Sequence, residues 1–243
     1  MAAPPSQFRS DLKASAAACT SAPWLLVATM LLQAGTAALD AAARDRSLSF
    51  LATVATAIDV LSIGFYGTQR VWLFRLYRGR TLSAVEGWTL TKGYFRRFVS
   101  LGVRIFLPVG AVIAAVAIGT RSTTATLVTA GVLSYGLDML LTFVVPELTF
   151  GTSSAKEAWT TGRTMLKGTW PESRWYVLAP GLALLAVANV FGGGHRSVWV
   201  AAVVATVAAL LSLVFRGAIL RYYLRLRPDI PDYEPAQSRR AMY

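Results

Sequence analysis

Six long apolar stretches, separated by polar segments, divide the chain. They cover residues 22–39, 48–68, 99–119, 125–146, 176–192 and 197–220. A helix of about 20 mostly apolar residues is long enough to cross the hydrocarbon core of a bilayer, so each stretch predicts a membrane span. The fifth is the shortest, and Pro180 and Gly181 interrupt it. The pattern therefore predicts an all-α integral membrane protein with six transmembrane helices.

Two of the polar segments predict short amphipathic helices in the loops between spans. Each segment opens with Ser-x-x-Glu, at Ser83 and at Ser154, and closes on Lys-Gly, at Lys92 and at Lys167. Ser-x-x-Glu is typical of a capping box at a helix start, and a glycine after a basic residue is typical of a helix end. The two similar segments indicate repeated units, each made of a span, an inner amphipathic helix and a returning span.

The distribution of the 24 lysines and arginines predicts the orientation of the chain in the membrane. Four of them, Arg44, Arg46, Arg121 and Arg196, lie on one side of the predicted bundle, and Arg104 lies within the third span. The others lie on the opposite side. Because cytoplasmic loops carry an excess of lysine and arginine, we expect both termini to face the cytoplasm.

The composition is consistent with a membrane protein of this organisation. Charged residues make up 15% of the chain and the mean hydropathy is +0.50, whereas about 25% of the residues in a soluble domain are charged. We predict a cytoplasmic N-terminal segment (1–20), a six-helix membrane domain (21–228) and a disordered cytoplasmic tail (229–243). The alanine- and arginine-rich composition is typical of a bacterial protein, which favours the cell inner (cytoplasmic) membrane.

A motif around the fourth and fifth spans resembles a known family. It consists of Val145-Pro146-Glu147-Leu148, then Ser154-Ala155-Lys156-Glu157-Ala158-Trp159, then Lys167-Gly168-Thr169-Trp170. Over residues 50–220 the chain resembles the membrane domain of some bacterial glycerophosphoryl diester phosphodiesterases and its stand-alone six-span relatives. The matching positions are Glu147, Ala158, Lys167, Gly168 and Trp170. The resemblance implies the fold and topology but no activity, because most stand-alone relatives have no assigned chemistry.

Three ionisable residues inside predicted spans are candidates for an intramembrane polar site: Asp59, Arg104 and Asp138. A charge at the centre of a bilayer costs about 2.5–3.5 kcal/mol on insertion scales. A functional site would serve a proton, an ion, a headgroup or a reactive intermediate. The alternative, which we favour, is structural: an Asp–Arg pair, or carboxylates bonded to neighbouring hydroxyls, that fixes helix packing.

A second candidate region is the basic, aromatic surface of the inner loops, where cations and rings alternate at the ends of spans. Such residues suit the membrane interface, where rings lie at headgroup level and cations meet anionic lipid. Glu147 is expected to pair with Arg70, Arg96 or Arg97. The residues of this predicted lipid or partner face are Arg70, Arg75, Arg78, Arg80, Trp88, Arg96, Arg97, Glu147, Trp159 and Lys167.

Several classes of site find no support in the sequence. His195 is the one histidine and Cys19 the one cysteine, whereas a metal site needs several ligands, so no metal and no cofactor are predicted. The net charge of +12 lies beside apolar spans, which favours anionic membrane lipids over nucleic acid as the partner. The signatures of known enzyme classes are absent.

Three functions are therefore compatible with the chain. The first is a non-enzymatic accessory or assembly factor, exporter membrane subunit or lipid-handling scaffold, with a membrane or cytosolic protein partner and with oligomers allowed. The second is a small integral membrane enzyme resembling a terpene cyclase, acting on a lipid or isoprenoid, with Asp59 or Asp138, or both, as its acids. The third, a proton- or ion-coupled transporter, ranks below both because only one span is interrupted.

Overall fold

The chain folds into long helices joined by short connections. The computed structural model describes residues 5–46, 49–191 and 197–230. Within those ranges a π-helical turn, Glu147–Gly151, follows the fifth of seven α-helices. The α-helices are α1 (Pro5–Thr20), α2 (Pro23–Arg46), α3 (Ser49–Tyr77), α4 (Ala84–Thr120), α5 (Thr123–Pro146), α6 (Ala155–Phe191) and α7 (Val198–Leu226).

Five helical segments of the described chain are long and apolar enough to cross a membrane. They are Pro23–Ala43, Phe50–Tyr77, Ala84–Thr120, Thr123–Gly151 and Val198–Leu226. This all-helical architecture confirms the predicted class of helical membrane protein. The predicted fifth span, 176–192, lies almost entirely in α6, whose first half is polar, and α6 is not among the five segments. Residue 192 lies outside the described residues.

The predicted helix starts at Ser83 and Ser154 are confirmed. Ser83 and Glu86 form a complete capping box, with the Glu86 N–H donating to Ser83 Oγ over 3.3 Å and the Ser83 N–H donating to Glu86 Oε2 over 3.0 Å. At the second start the Glu157 N–H donates to Ser154 Oγ over 3.4 Å. The Glu157 carboxylate, however, accepts a hydrogen bond from the Thr152 hydroxyl over 2.6 Å. The second cap is therefore a variant of the first.

The predicted ends of these two helices are wrong. Neither helix stops at Lys-Gly, and α4 and α6 each continue to a length of 37 residues, or about 55 Å at 1.5 Å per residue. A glycine inside a helix costs only about 1 kcal/mol relative to alanine. Burial of Tyr94 and Tyr176 just beyond the glycines outweighs that cost. The predicted short amphipathic helices are thus the first halves of the helices that carry the third and fifth predicted spans.

Buried side chains concentrate at one end of the helical bundle. We call this end, formed by residues 5–25, 68–101, 142–177 and 209–230, the basic end. It holds almost all the members of both buried apolar clusters, including the fully buried rings of Phe74, Tyr94, Phe143, Tyr176 and Tyr223. The other halves of the helices expose large apolar side chains such as Ile118, Val132 and Trp199, as expected of surfaces that face lipid.

The first and last segments of the described chain pack into this core, which the sequence did not predict. Residues 5–20 form α1, which packs on α7, and Ser15 Oγ donates a hydrogen bond to the Val214 carbonyl over 2.7 Å. The tail predicted as disordered from residue 229 begins with an ordered turn, in which Ile230 packs into the core. Residues 231–243 lie outside the described residues.

Replacing Gly217 by alanine tests the close contact between α1 and α7. A Cβ at this position would collide with the Ser15 hydroxyl and lie 2.6 Å from the Tyr77 hydroxyl. Overpacking of this kind costs typically about 1–3 kcal/mol, so we expect Gly217→Ala to lower the thermal unfolding midpoint measured in detergent. Gly131→Ala is the matched control, because nothing lies within 4 Å of a Cβ at that helical position. Equal midpoints for the two variants would contradict the contact.

Candidate functional site at the basic end

Four arginines near the end of α7 organise the polar interior of the basic end. Arg221 and Arg225 are four residues apart and lie on one face of α7, whereas Arg216, five residues before Arg221, lies on another side of the helix, and Arg227 follows directly after α7. Helical residues about four apart are neighbours on the same face. We call the four residues the arginine ladder. Each of them contacts a polar side chain from another part of the chain or from the turn that follows.

The middle of the ladder holds Asp11 of α1. The Arg225 guanidinium donates to both carboxylate oxygens of Asp11, over 3.0 and 2.5 Å, and Arg221 Nε lies 3.3 Å away. The Tyr176 hydroxyl of α6 donates to the same carboxylate over 2.5 Å. Asp11 is only 2% exposed, and a buried charge is tolerated when it is paired and hydrogen bonded in this way. One carboxylate thus ties α1, α6 and α7 together.

The end of the ladder holds Glu147, the first residue of the π-helical turn. Arg227 Nη1 donates to the two oxygens of Glu147 over 2.9 and 2.7 Å, and the Tyr223 hydroxyl donates to Oε2 over 2.8 Å. The prediction that Glu147 pairs with Arg70, Arg96 or Arg97 is therefore wrong. The turn after Pro146 directs the carboxylate toward α7, and the hydroxyl and guanidinium there satisfy it.

Arg227 also closes the turn that follows α7. Hydrogen bonds to Asp229 and then to Glu147 raise the pKa of Arg227 above its ordinary value, although burial opposes them. The same Arg227 contact lowers the pKa of Asp229. Arg227 and Asp229 are therefore both charged at neutral pH, and their contact in the turn is an ion pair.

Arg216, the first residue of the ladder, has a different environment. Its Nη1 donates to Gln69 Oε1 over 2.6 Å, and its guanidinium lies 4.5 Å from the centre of the Tyr66 ring. Gln69 is fixed in turn by donating from Nε2 to Thr29 over 2.9 Å. Among the described residues no carboxylate forms an ion pair with Arg216. Its partners in the fold are neutral.

A further buried arginine joins α3 to the start of α4. Arg75 is 8% exposed, and its Nη1 lies 3.3 Å from the Glu86 carboxylate. Glu86 is the carboxylate of the capping box, so this ion pair attaches the first turn of α4 to α3. The Glu86 side chain is 38% exposed, so this ion pair lies at the edge of the interior packing.

The predicted intramembrane site is not assembled in this structure. Asp59, Arg104 and Asp138 are each exposed on a different helix, and no ion pair joins any two of them in the described chain. Asp59 lies beside Thr36 and near Asp40 of α2. Asp138 interacts electrostatically with Arg216 without forming an ion pair. The three residues therefore do not form one polar site.

The predicted lipid or partner face separates into buried and accessible residues. Arg70, Arg75 and Glu147 are buried, because they bind groups inside the fold. Trp88 is 61% exposed, with the Lys92 ammonium 5.1 Å from the centre of its ring. The other accessible members are Arg78, Arg80, Arg96 and Lys167, which are exposed, and Arg97 and Trp159, which are half-buried.

Asp11 and Tyr176 were missed by the sequence analysis, although one signal for Asp11 is present in the sequence. Phe8, Asp11, Ser15 and Cys19 recur at helical spacing and are all buried on the inner face of α1. That periodicity identifies a packed helix with a polar residue in its buried stripe. The identity of the partners on α6 and α7, in contrast, depends on tertiary structure.

Comparison of the chain with protein-family models, with curated proteins and with solved structures gives no match. The resemblance described above thus rests on its motif residues alone. No group of three histidine, cysteine, aspartate or glutamate residues within the described ranges is arranged to hold a metal ion. The chemistry of the basic end is therefore argued from its arginines, carboxylates and hydroxyls.

The single cysteine reports whether Asp11 anchors α1. Cys19 is 2% exposed, and burial raises the pKa of its thiol to about 11 although a Ser15 hydrogen bond opposes this. We expect the native protein to react slowly with a maleimide at pH 8. Removing one partner of a buried ion pair costs about 3–5 kcal/mol, and each 1.4 kcal/mol is a factor of about ten. Asp11→Asn should therefore raise the labelling rate, measured by mass spectrometry, at least tenfold.

Asp229→Asn is the control for this labelling experiment. It makes the same chemical change at an exposed carboxylate that contacts Arg227 and not α1. Its labelling rate should remain close to that of the parent protein. If Asp11→Asn labels no faster than Asp229→Asn, the Asp11 contacts do not hold α1 in place.

Proposed function

We propose that the protein is a non-enzymatic polytopic protein of the cell inner (cytoplasmic) membrane that acts as a lipid-handling scaffold. In this proposal α6 supplies the sixth span, both termini face the cytoplasm, and the basic end binds anionic headgroups of the inner leaflet. An accessory, assembly or exporter-subunit role with a protein partner is compatible with the same arrangement.

The observation that carries the proposal is the imbalance of charge at the surface of the basic end. The carboxylates of Asp11, Glu86 and Glu147 are bound to arginines inside the fold. Exposed cations such as Lys92 and Arg96 remain at the surface together with exposed tryptophans. Cations near the surface of an anionic membrane contribute about 1 kcal/mol each to binding, and tryptophan favours the same interface.

The proposal of an enzyme has less support. An acid pair for lipid or isoprenoid chemistry would need Asp59 and Asp138 in a shared site, and they lie exposed on α3 and α5. A transporter using the same carboxylates has the same difficulty. Their separate positions favour local roles for the two aspartates over joint catalysis.

Lipid selection from a mixed bilayer tests the proposed function. The protein is reconstituted into nanodiscs of phosphatidylcholine and phosphatidylglycerol, released, and analysed for bound lipid by native mass spectrometry. We expect phosphatidylglycerol to be enriched on the protein above its share of the nanodisc lipid. The double variant Lys92→Gln/Arg96→Gln should lose part of that enrichment, because it removes two exposed cations from the basic end.

Arg121→Gln is the matched control at the opposite end of α4. Arg121 is exposed and caps the C-terminus of that helix, so its loss should leave the enrichment unchanged. A parent protein that carries the two lipids in the proportion of the nanodisc would refute lipid selection by the basic end.

A further inference from the structure

A cavity inside the bundle lies directly beside Arg216. It has a volume of about 180 Å³ and lies between α2, α3, α6 and α7. Its polar lining consists of Thr29, Gln33, Ser62, Tyr66, Gln69, Ser212 and Arg216, and its other walls are apolar. Since a water occupies about 30 Å³ in the liquid, the space exceeds that of a few waters. It is smaller than the roughly 300–1,000 Å³ of a pocket for a drug-sized ligand.

The hydrogen-bonding capacity of Arg216 is largely unused by the protein. A guanidinium has five N–H donors, and Gln69 is its one hydrogen-bond acceptor among the described residues. The Tyr66 ring covers one face of the guanidinium. Donors of Arg216 therefore remain available to a molecule in the cavity, which Arg216 lines.

The charge of Arg216 is also less directly compensated than the charges of the rest of the ladder, because Asp138 attracts it without forming an ion pair. Arg221, Arg225 and Arg227 each lie within 3.3 Å of a carboxylate oxygen. Arg216 has no such partner among the described residues, and Arg70, whose side chain is buried, lies near enough to repel it. Two guanidinium groups without an ion-pair partner in a poorly solvated region favour binding of an anion.

We propose that this cavity binds one phosphate group, either the headgroup of an anionic lipid or inorganic phosphate, with Arg216 as the principal ligand. The planar guanidinium matches the geometry of phosphate oxygens. The amides of Gln33 and Gln69 and the hydroxyl of Ser212 supply neutral hydrogen bonds from three helices. The site lies inside the bundle, apart from the exposed cations of the proposed headgroup surface, so it goes beyond the function proposed above.

Binding of phosphatidic acid tests the site in the full-length protein. The purified chain in uncharged detergent is titrated with phosphatidic acid, and native mass spectrometry counts the lipids retained. We expect one lipid to bind more tightly than the rest. Arg216→Gln should weaken that binding at least about tenfold, because it removes the charged hydrogen bonds to the phosphate group. A parallel titration with inorganic phosphate at constant ionic strength, read as a shift in the unfolding midpoint, distinguishes a free anion from a lipid headgroup.

Two further variants separate binding from folding. Ser212→Leu fills the cavity without removing a charge, so the chain should remain folded while the tight binding is lost. Arg104→Gln removes an exposed arginine from a predicted span and should bind like the parent. The surface variant Lys92→Gln/Arg96→Gln should also keep its one tight lipid, which distinguishes this site from the headgroup surface. Unchanged binding of both probes in Arg216→Gln and Ser212→Leu, or binding of neither probe by the parent, would overturn the proposal.

Discussion

The basic end depends on the compensation of the arginine ladder by carboxylates from elsewhere in the chain. Asp11 forms ion pairs with both Arg221 and Arg225, and Glu147 forms an ion pair with Arg227. Each carboxylate is buried, so each would be costly without its arginine, whereas the side chains of Arg221, Arg225 and Arg227 are 36%, 38% and 26% exposed and stay partly solvated. These ion pairs attach α1 and the π-helical turn to α7. Apolar side chains fill the space between the helices.

The two ends of the helical bundle differ in how many side chains they bury. Side chains are densely packed inside the basic end. The carboxylates there are bound to arginines of the fold, so few remain to balance the cations at the surface. The opposite halves of the helices expose aliphatic and aromatic side chains. Arg216 lies where these two regions meet, beside the cavity, and the groups it contacts directly, Gln69 and Tyr66, are neutral. The protein thus has an interior in which arginines are paired with carboxylates. Beside it lies Arg216, which we propose binds an anion from outside the chain.

The sequence predicted those features that depend on local pattern. Apolar length located the five segments that are long and apolar enough to cross a membrane, and Ser-x-x-Glu located the starts of α4 and α6. Lys-Gly was misread as a helix end, because burial of Tyr94 and Tyr176 outweighs the modest helix penalty of glycine. The sequence did not predict which charged residues pair across the fold. Asp11 and Arg225 are 214 positions apart, and no local pattern connects residues so distant. Glu147 was assigned to arginines near it in the predicted loops, whereas a π-helical turn directs it to α7.

A double-mutant cycle between Glu147 and Arg227 tests this account most directly. The free energy of unfolding is measured in one detergent for the parent, Glu147→Gln, Arg227→Gln and the double variant. Contacting residues in one buried network show coupling energies of about 0.5–3 kcal/mol, so we predict that the double variant is destabilised less than the sum of the single variants by at least about 1 kcal/mol. Additive effects, within about 0.5 kcal/mol, would contradict the claim that buried carboxylates hold the arginine ladder.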